Sequence, residues 1–541
     1  MAIPTPFSPW GKAARTLSRC LSKRNFSKLV IARRLNSTHH RGKPMRLERE
    51  LRYAIIGGTL LLTYSYMSSC LSSDTIKGIK QYGAPARSLS TSSDGKANGN
   101  PDTISLLTDY EVNTKLRSLE ESYYVNRGKG VLRYDVSQLP SNNPIEDSRV
   151  EQIITVPNEQ TQAQEELYFF GIFDGHGGPY TSSKLSEALV PYVAHQLSKI
   201  YAQGNEALTS EAIDDAIEQG FLQLDNDIVQ KTLGQFFENP SKESLIEALP
   251  AVSGACSLLA MYDSNNCTLK VALTGDSRAL LGRVDENGKW TVQSLTIDQT
   301  GDNADEVARI RAEHPGEPNC VRNGRVLGSL QPSRAFGDYR YKVKEINGKN
   351  VYDLPSHLKI FFRKEPREFL TPPYVTAQPE ITTAQIDSSA RFMVIASDGL
   401  FELLTNEEIA GLVVKWMEKH PVKKGFETLK SSARDKIPPV HDTTVHAESQ
   451  RPAFRYKDAN KGSAGFLMED NNVATHLIRN ALSGGGDKRY VSTLISIPSP
   501  KSRSYRDDLT VTVVFFGEEQ NQPDNQLILN HEATRPLEPK L

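Results

Sequence analysis

Asp174 closes the apolar run Leu167–Asp174 and opens the pentapeptide Asp174-Gly175-His176-Gly177-Gly178. Three further apolar runs meet a carboxylate at one end. One finishes at Gly275-Asp276, another runs into Ser397-Asp398-Gly399, and a third, Leu509–Phe516, is preceded by Arg506-Asp507-Asp508. A lone aspartate at a strand end is ordinarily a turn former, because its side chain bonds the local backbone. Several such ends are harder to dismiss, since apolar strands share a core and their ends can converge. Converging carboxylates repel one another unless cations neutralise them. Hard oxygen donors suit Mg²⁺ or Mn²⁺ rather than zinc. Cys256, Cys267 and Cys320 show no CxxC spacing with a nearby His, so neither a zinc site nor a redox pair competes. The spacing predicts a multi-metal carboxylate site and leaves its substrate open.

The elements that must position these groups alternate between strand and helix from about 109 to 517, with no internal repeat. Leu167–Asp174 reads as a buried strand, and Tyr180–Ala202 has helical periodicity. Ser257–Asp263, Cys267–Asp276, Ala279–Val284 and Trp290–Ile297 are separated by turn residues and predict an antiparallel meander. Arg391–Ser397 and Leu509–Phe516 are further strands, and Thr405 to Glu408 forms a capping box that opens a helix through Lys419. Ile437–Ala464 is polar and aperiodic, the centre of an insertion loop spanning about 420–465.

The chain has 541 residues, more than one domain of about 150. Lys and Arg total 64 against 65 Asp and Glu, a net charge of −1. That balance excludes a basic nucleic-acid binder, but it hides an asymmetry. Residues 1–47 hold eleven Lys or Arg and no acid, so the remaining 494 carry −12. An acid-free, Arg- and Ser-rich start is the profile of a mitochondrial transit peptide. Residues 53–71 carry no charge over about 19 residues, enough for one membrane crossing as a stop-transfer segment. Residues 72–108 read as a Ser/Gly/Asn-rich linker and 518–541 as a polar tail. Its last residues, Pro539-Lys540-Leu541, vary on a peroxisomal address.

Taken in order, several segments resemble the metal-dependent type 2C serine/threonine protein phosphatases. They are Phe170–Gly178, Leu273–Ala279, Leu295–Asp298, Ser333–Asp338, Ile395–Gly399 and Arg506–Asp508. Arg133–Asp147 and Gly328–Asp338 further resemble the mitochondrial pyruvate dehydrogenase phosphatase branch. The resemblance implies an α+β fold, a four-layer αββα sandwich with two central antiparallel sheets flanked by helices, and a monomeric domain. It implies that Asp174 bridges two ions, that the Gly175 carbonyl binds one, and that Asp398 and Asp507 complete direct ligation. Glu146 would act through water, with Asp147 behind it, and Asp276 and Glu402 would hold a third ion. His176 would be the general acid. Many members carry Arg where this chain has Asn142, so phosphate would be held there by neutral hydrogen bonds. Cys256 stands where small hydroxylated residues are commoner, and only a packing consequence is expected. The implied substrate is a phosphoprotein, the E1α subunit of the pyruvate dehydrogenase complex. Arg278 and Arg334 read as structural ion-pair partners. The competing readings are a pseudophosphatase that binds phosphoproteins without turnover, a kinase and a nuclease. No GxxxxGK[ST] or kinase catalytic loop is present, and an acidic body would repel DNA.

Overall fold

The computed structural model describes residues 105–157, 164–201, 208–423, 441–442, 465–518 and 525–535. The predicted transit segment, membrane span and C-terminal tripeptide lie outside them, as do most of the linker and most of the insertion. Among the described residues no helix is long and apolar enough to cross a membrane.

The strands in chain order are β1 (Glu121–Asn126), β2 (Val131–Leu139), β3 (Ser148–Pro157), β4 (Gln164–His176), β5 (Gly254–Asp263), β6 (Thr268–Thr274), β7 (Arg278–Val284) and β8 (Trp290–Ser294). They continue as β9 (Val321–Arg322), β10 (Arg325–Val326), β11 (Phe336–Gly337), β12 (Glu380–Gln385), β13 (Ala390–Ala396), β14 (His441–Asp442), β15 (Leu509–Phe516) and β16 (Gln526–Leu529). One sheet has the order β14-β8-β7-β13-β15-β2-β1-β16, the other β12-β6-β5-β4-β3 with β11 added against β5. Within these two sheets every pairing is antiparallel except the short β14–β8 contact.

Side-chain alternation along the central strands sets the layers. In β13, Met393 and Ile395 face the second sheet and pack with its Phe170, Ile172, Leu258 and Ala260, beside Val514 of β15. Phe392, Val394 and Ala396 face the other way, onto Ile409, Val413, Trp416 and Leu477 of the helices Asn406–Met417 and Val473–Leu482. The second sheet is covered on its outer side by the helix Tyr180–Tyr201, which buries Leu185, Leu189 and Val193. Each large apolar side chain buried this way contributes about 1.5–3 kcal/mol. The result is the αββα sandwich that the resemblance implies.

The strands agree with the sequence reading at most boundaries, and Thr405 and Glu408 close their capping box, Glu408 N–H donating to Thr405 Oγ at 3.2 Å. The meander is corrected. β5 and β6 form a hairpin in one sheet, whereas β7 and β8 pair in the other, so the Gly275–Ser277 corner crosses between sheets. Arg278 secures that corner by pairing with Asp298 at 2.6 Å, as Arg334 pairs with Glu306 at 2.6 Å. Between β8 and β12 lies a flap with its own core of Ile310, Cys320, Val326, Tyr341, Phe369 and Tyr374.

Candidate active site

Register brings the predicted carboxylates to one end of the sandwich. β13 and β15 are antiparallel, and Ser397 N–H donates to the Thr510 carbonyl at 3.1 Å, so Asp398 and Asp507 flank one another. β2 pairs with β15 through Leu139 and Leu509, which lays residues 140–147 beside the same end. In the facing sheet Asp174 pairs across from Cys256 and Ser257 across from Thr274, placing Asp276 next to them.

The side chains then interact as a group. Burial pushes the Asp174 carboxyl well above its ordinary range, and repulsion from Asp147, Asp398, Asp507 and Asp276 adds to it. Asp398 is raised well above its range by burial and then by Asp276, Asp507, Glu402 and Asp147, and its Oδ1 is buried with no hydrogen-bond partner. Burial, with Asp508 next, lifts Asp147 to about 8, although its Oδ2 accepts from Thr510 Oγ at 2.7 Å. Burial lifts Asp276 to about 6. Burial and then Asp507 raise Glu402. Burial also raises Glu146, against the Gly178 N–H that donates to its Oε1 at 2.6 Å. Asn142 sits beside it, donating from Nδ2 to Glu146 Oε2 at 2.9 Å. Gly175 is required by space: a Cβ there would strike the Glu146 carbonyl.

Cations between these carboxylates would relieve such mutual repulsion. Among the described residues no three of His, Cys, Asp or Glu close around one point as a ready-made cage. A hydrated Mg²⁺ asks for less, keeping several waters and binding through one or two carboxylates. Half-buried carboxylates facing one another, one with an orphaned oxygen, fit that mode. Asp174, Asp398, Asp507 and the Gly175 carbonyl could hold ions directly, with Glu146, Asp276 and Glu402 close by.

Four features escaped the sequence reading. Asp338, the last residue of the Ser333–Asp338 motif, accepts from or donates to His176 Nε2 through Oδ2 at 2.6 Å. Burial works against charging His176, but Asp338, then Asp276 and Glu146, raise its pKa, while burial of Asp338 is overcome by His176 and its carboxyl stays low. The register explains the meeting: His176 and Gly337 both pair with Gly254, whose missing Cβ leaves room for the two side chains. Asp508 gathers the 141–146 loop, accepting from Ser141 N–H at 2.5 Å, Asn142 N–H at 3.1 Å and Glu146 N–H at 2.9 Å. Arg503 pairs with Asp507. Cys256 does more than pack: its thiol donates to Asp276 Oδ1 at 3.1 Å, which corrects the expectation for that position.

The family model of protein phosphatase 2C matches residues 137–436. Across 98% of each chain, this protein is 51% identical to the mitochondrial pyruvate dehydrogenase (acetyl-transferring) phosphatase 1 of Saccharomyces cerevisiae. It is 38% identical to a protein phosphatase 2C homolog of Schizosaccharomyces pombe, over 75% of this chain and 85% of that one. The bovine mitochondrial pyruvate dehydrogenase phosphatase 1 is 29% identical over 77% of this chain and 85% of its own. The chain therefore belongs to the protein phosphatase 2C family, close to its mitochondrial pyruvate dehydrogenase phosphatase branch.

Proposed function

We propose that this chain is a Mg²⁺- or Mn²⁺-dependent serine/threonine phosphatase of the mitochondrion, whose substrate is the phosphorylated E1α subunit of pyruvate dehydrogenase. The observation that carries the reading is the ring of mutually repelling carboxylates around Asp174. The names of the yeast and bovine relatives support the substrate and compartment.

Asp174, the Gly175 carbonyl, Asp398 and Asp507 would hold two ions, Glu146 would contribute through water, and Asp276 and Glu402 would take a third. Ions held by these residues would supply Lewis acidity, lowering the pKa of a bound water and offsetting phosphoryl charge. The chain itself handles the leaving group. A Ser or Thr alkoxide departs poorly, so His176 donates a proton to the leaving oxygen, worth about 10²–10⁴-fold. Asp338 holds that imidazole in place and keeps it protonated. Asp147 and Thr510 fix the base of the carboxylate group, while Asn142 and the Gly178 N–H set the Glu146 carboxylate and leave the remaining Asn142 N–H for a phosphoryl oxygen. The chain retains His176, Asp174, Asp398 and Asp507, so a pseudophosphatase that binds without turnover gains no support.

Phosphate release from a phosphoserine peptide by the purified chain tests this. Release is expected with Mg²⁺ or Mn²⁺, and not with EDTA or in Asp174→Asn. Full activity in EDTA ends the proposal. A matrix substrate also requires the catalytic body to survive protease after the outer membrane is ruptured.

A further inference from the structure

We propose that Arg363 is the phosphate-gripping cation of this chain, reaching from the flap over Gly177 to take the substrate's phosphoryl group; this rests on the phosphatase reading. Position 142 supplies no charge, and one of its two amide N–H groups is spent on Glu146, leaving a single neutral donor. Arg503 faces the carboxylates but is bound to Asp507, so its charge is already engaged.

Arg363 differs in both respects. The guanidinium Cζ, Nη1 and Nη2 lie 3.3–3.5 Å from the point where a Cβ on Gly177 would stand, so the group is laid against the glycine next to His176. A side chain at 177 would touch the guanidinium, and Gly177 has φ +74°, where glycine is at ease. The side chain is exposed, and no hydrogen bond or ion pair to its guanidinium is found among the described residues. Its backbone, by contrast, is tied down. Phe362 packs its ring against Phe236 and Tyr339, with centroids 5.7 Å away in each case. The Tyr339 hydroxyl donates to the Arg363 carbonyl at 3.4 Å. An anchored stem thus presents a free planar fork at the mouth of the site, and a guanidinium matches phosphate oxygens two at a time.

The test compares the full chain with Arg363→Gln and Arg363→Lys, using a phosphoserine peptide and inorganic phosphate as a competitive inhibitor. In Arg363→Gln the Ki of phosphate and the KM of the peptide are expected to rise about tenfold, the worth of one charge-assisted hydrogen bond, with kcat changing far less. Arg363→Lys should recover part of that loss, and both variants should melt with the parent. If the parent turns over and Arg363→Gln keeps its Ki and KM, or loses kcat alone, the inference is overturned while the phosphatase reading stands. If the parent shows no metal-dependent turnover, both fall.

Discussion

Replacing Asp338 by Asn separates proton donation from the rest of the chemistry. The imidazole and carboxylate meet at 2.6 Å, which puts their charge centres about 4 Å apart. At an effective dielectric near 20 that is about 4 kcal/mol of gross attraction. A hydrogen bond to a charged partner retains about 1.5–3 kcal/mol net. If that is lost, the protonated fraction of His176 falls by the same factor above its lowered pKa, and kcat falls there by up to about 10- to 150-fold. The sign of the pH effect follows from the same contact. Asp338 raises the His176 pKa against burial, so its removal lowers that pKa and moves the alkaline limb of the rate profile to lower pH. The assay is kcat against pH on two substrates, a phosphoserine peptide and an aryl phosphate whose phenolate leaves without a proton. The aryl ester should lose little. Equal losses on both substrates, or an unmoved alkaline limb, would refute the assignment of His176 as the acid.

Two other perturbations have calculable signs. In the metal-free chain Asp147 and Asp276 are pushed up to about 8 and about 6, so the folded form holds protons that the unfolded form has released. Stability of that form should fall as pH rises from about 4, levelling near 6 for Asp276 and near 8 for Asp147. Melting in EDTA checks this, and Asp398→Asn should raise the metal-free melting temperature at pH 8 while abolishing metal-dependent turnover. Glu306 has the opposite sign: burial opposes its charge, but hydrogen bonds from Arg334, Arg309 and Ser333 bring it to about 2 from 4.5. That corresponds to about 3 kcal/mol of stability, complete above about pH 4.5 and lost as pH falls towards 2. Glu306→Gln should therefore lower the unfolding free energy from urea titration by about that amount at pH 7, and no loss would show that the flap is held otherwise.

The strand-end aspartates were legible because long apolar runs announce buried strands, and an acid at the end of each is conspicuous. β2 was not legible for the converse reason. Its interior carries Arg133 and Asp135, both buried, which break the apolar pattern and are tolerated because they pair at 2.7 Å. The corner at Gly275–Ser277 misled because a hairpin turn and a sheet-to-sheet crossing use the same small and polar residues. Asp338 gave only the signal of closing the Ser333–Asp338 motif. It belongs to no long strand and takes a left-handed backbone at φ 50°, so periodicity says nothing about it.

The two halves of the proposed chemistry consequently rest on different parts of the fold. Asp174, Asp276, Asp398 and Asp507 sit at ends of sandwich strands and hold their places through sheet registers that cannot slip without turning buried faces outward. His176 is on the sandwich, but its partner comes from the flap, whose strand β11 pairs with the sheet through Phe336 and Gly337. The flap is also where Arg334 and Glu306 lock helix Ala304–Glu313 to the segment leading into Asp338. Loosening that lock should leave the carboxylates in register while displacing the group that keeps the acid protonated. Metal affinity should then be a property of the sandwich, and the rate of leaving-group departure a property of how well the flap is seated.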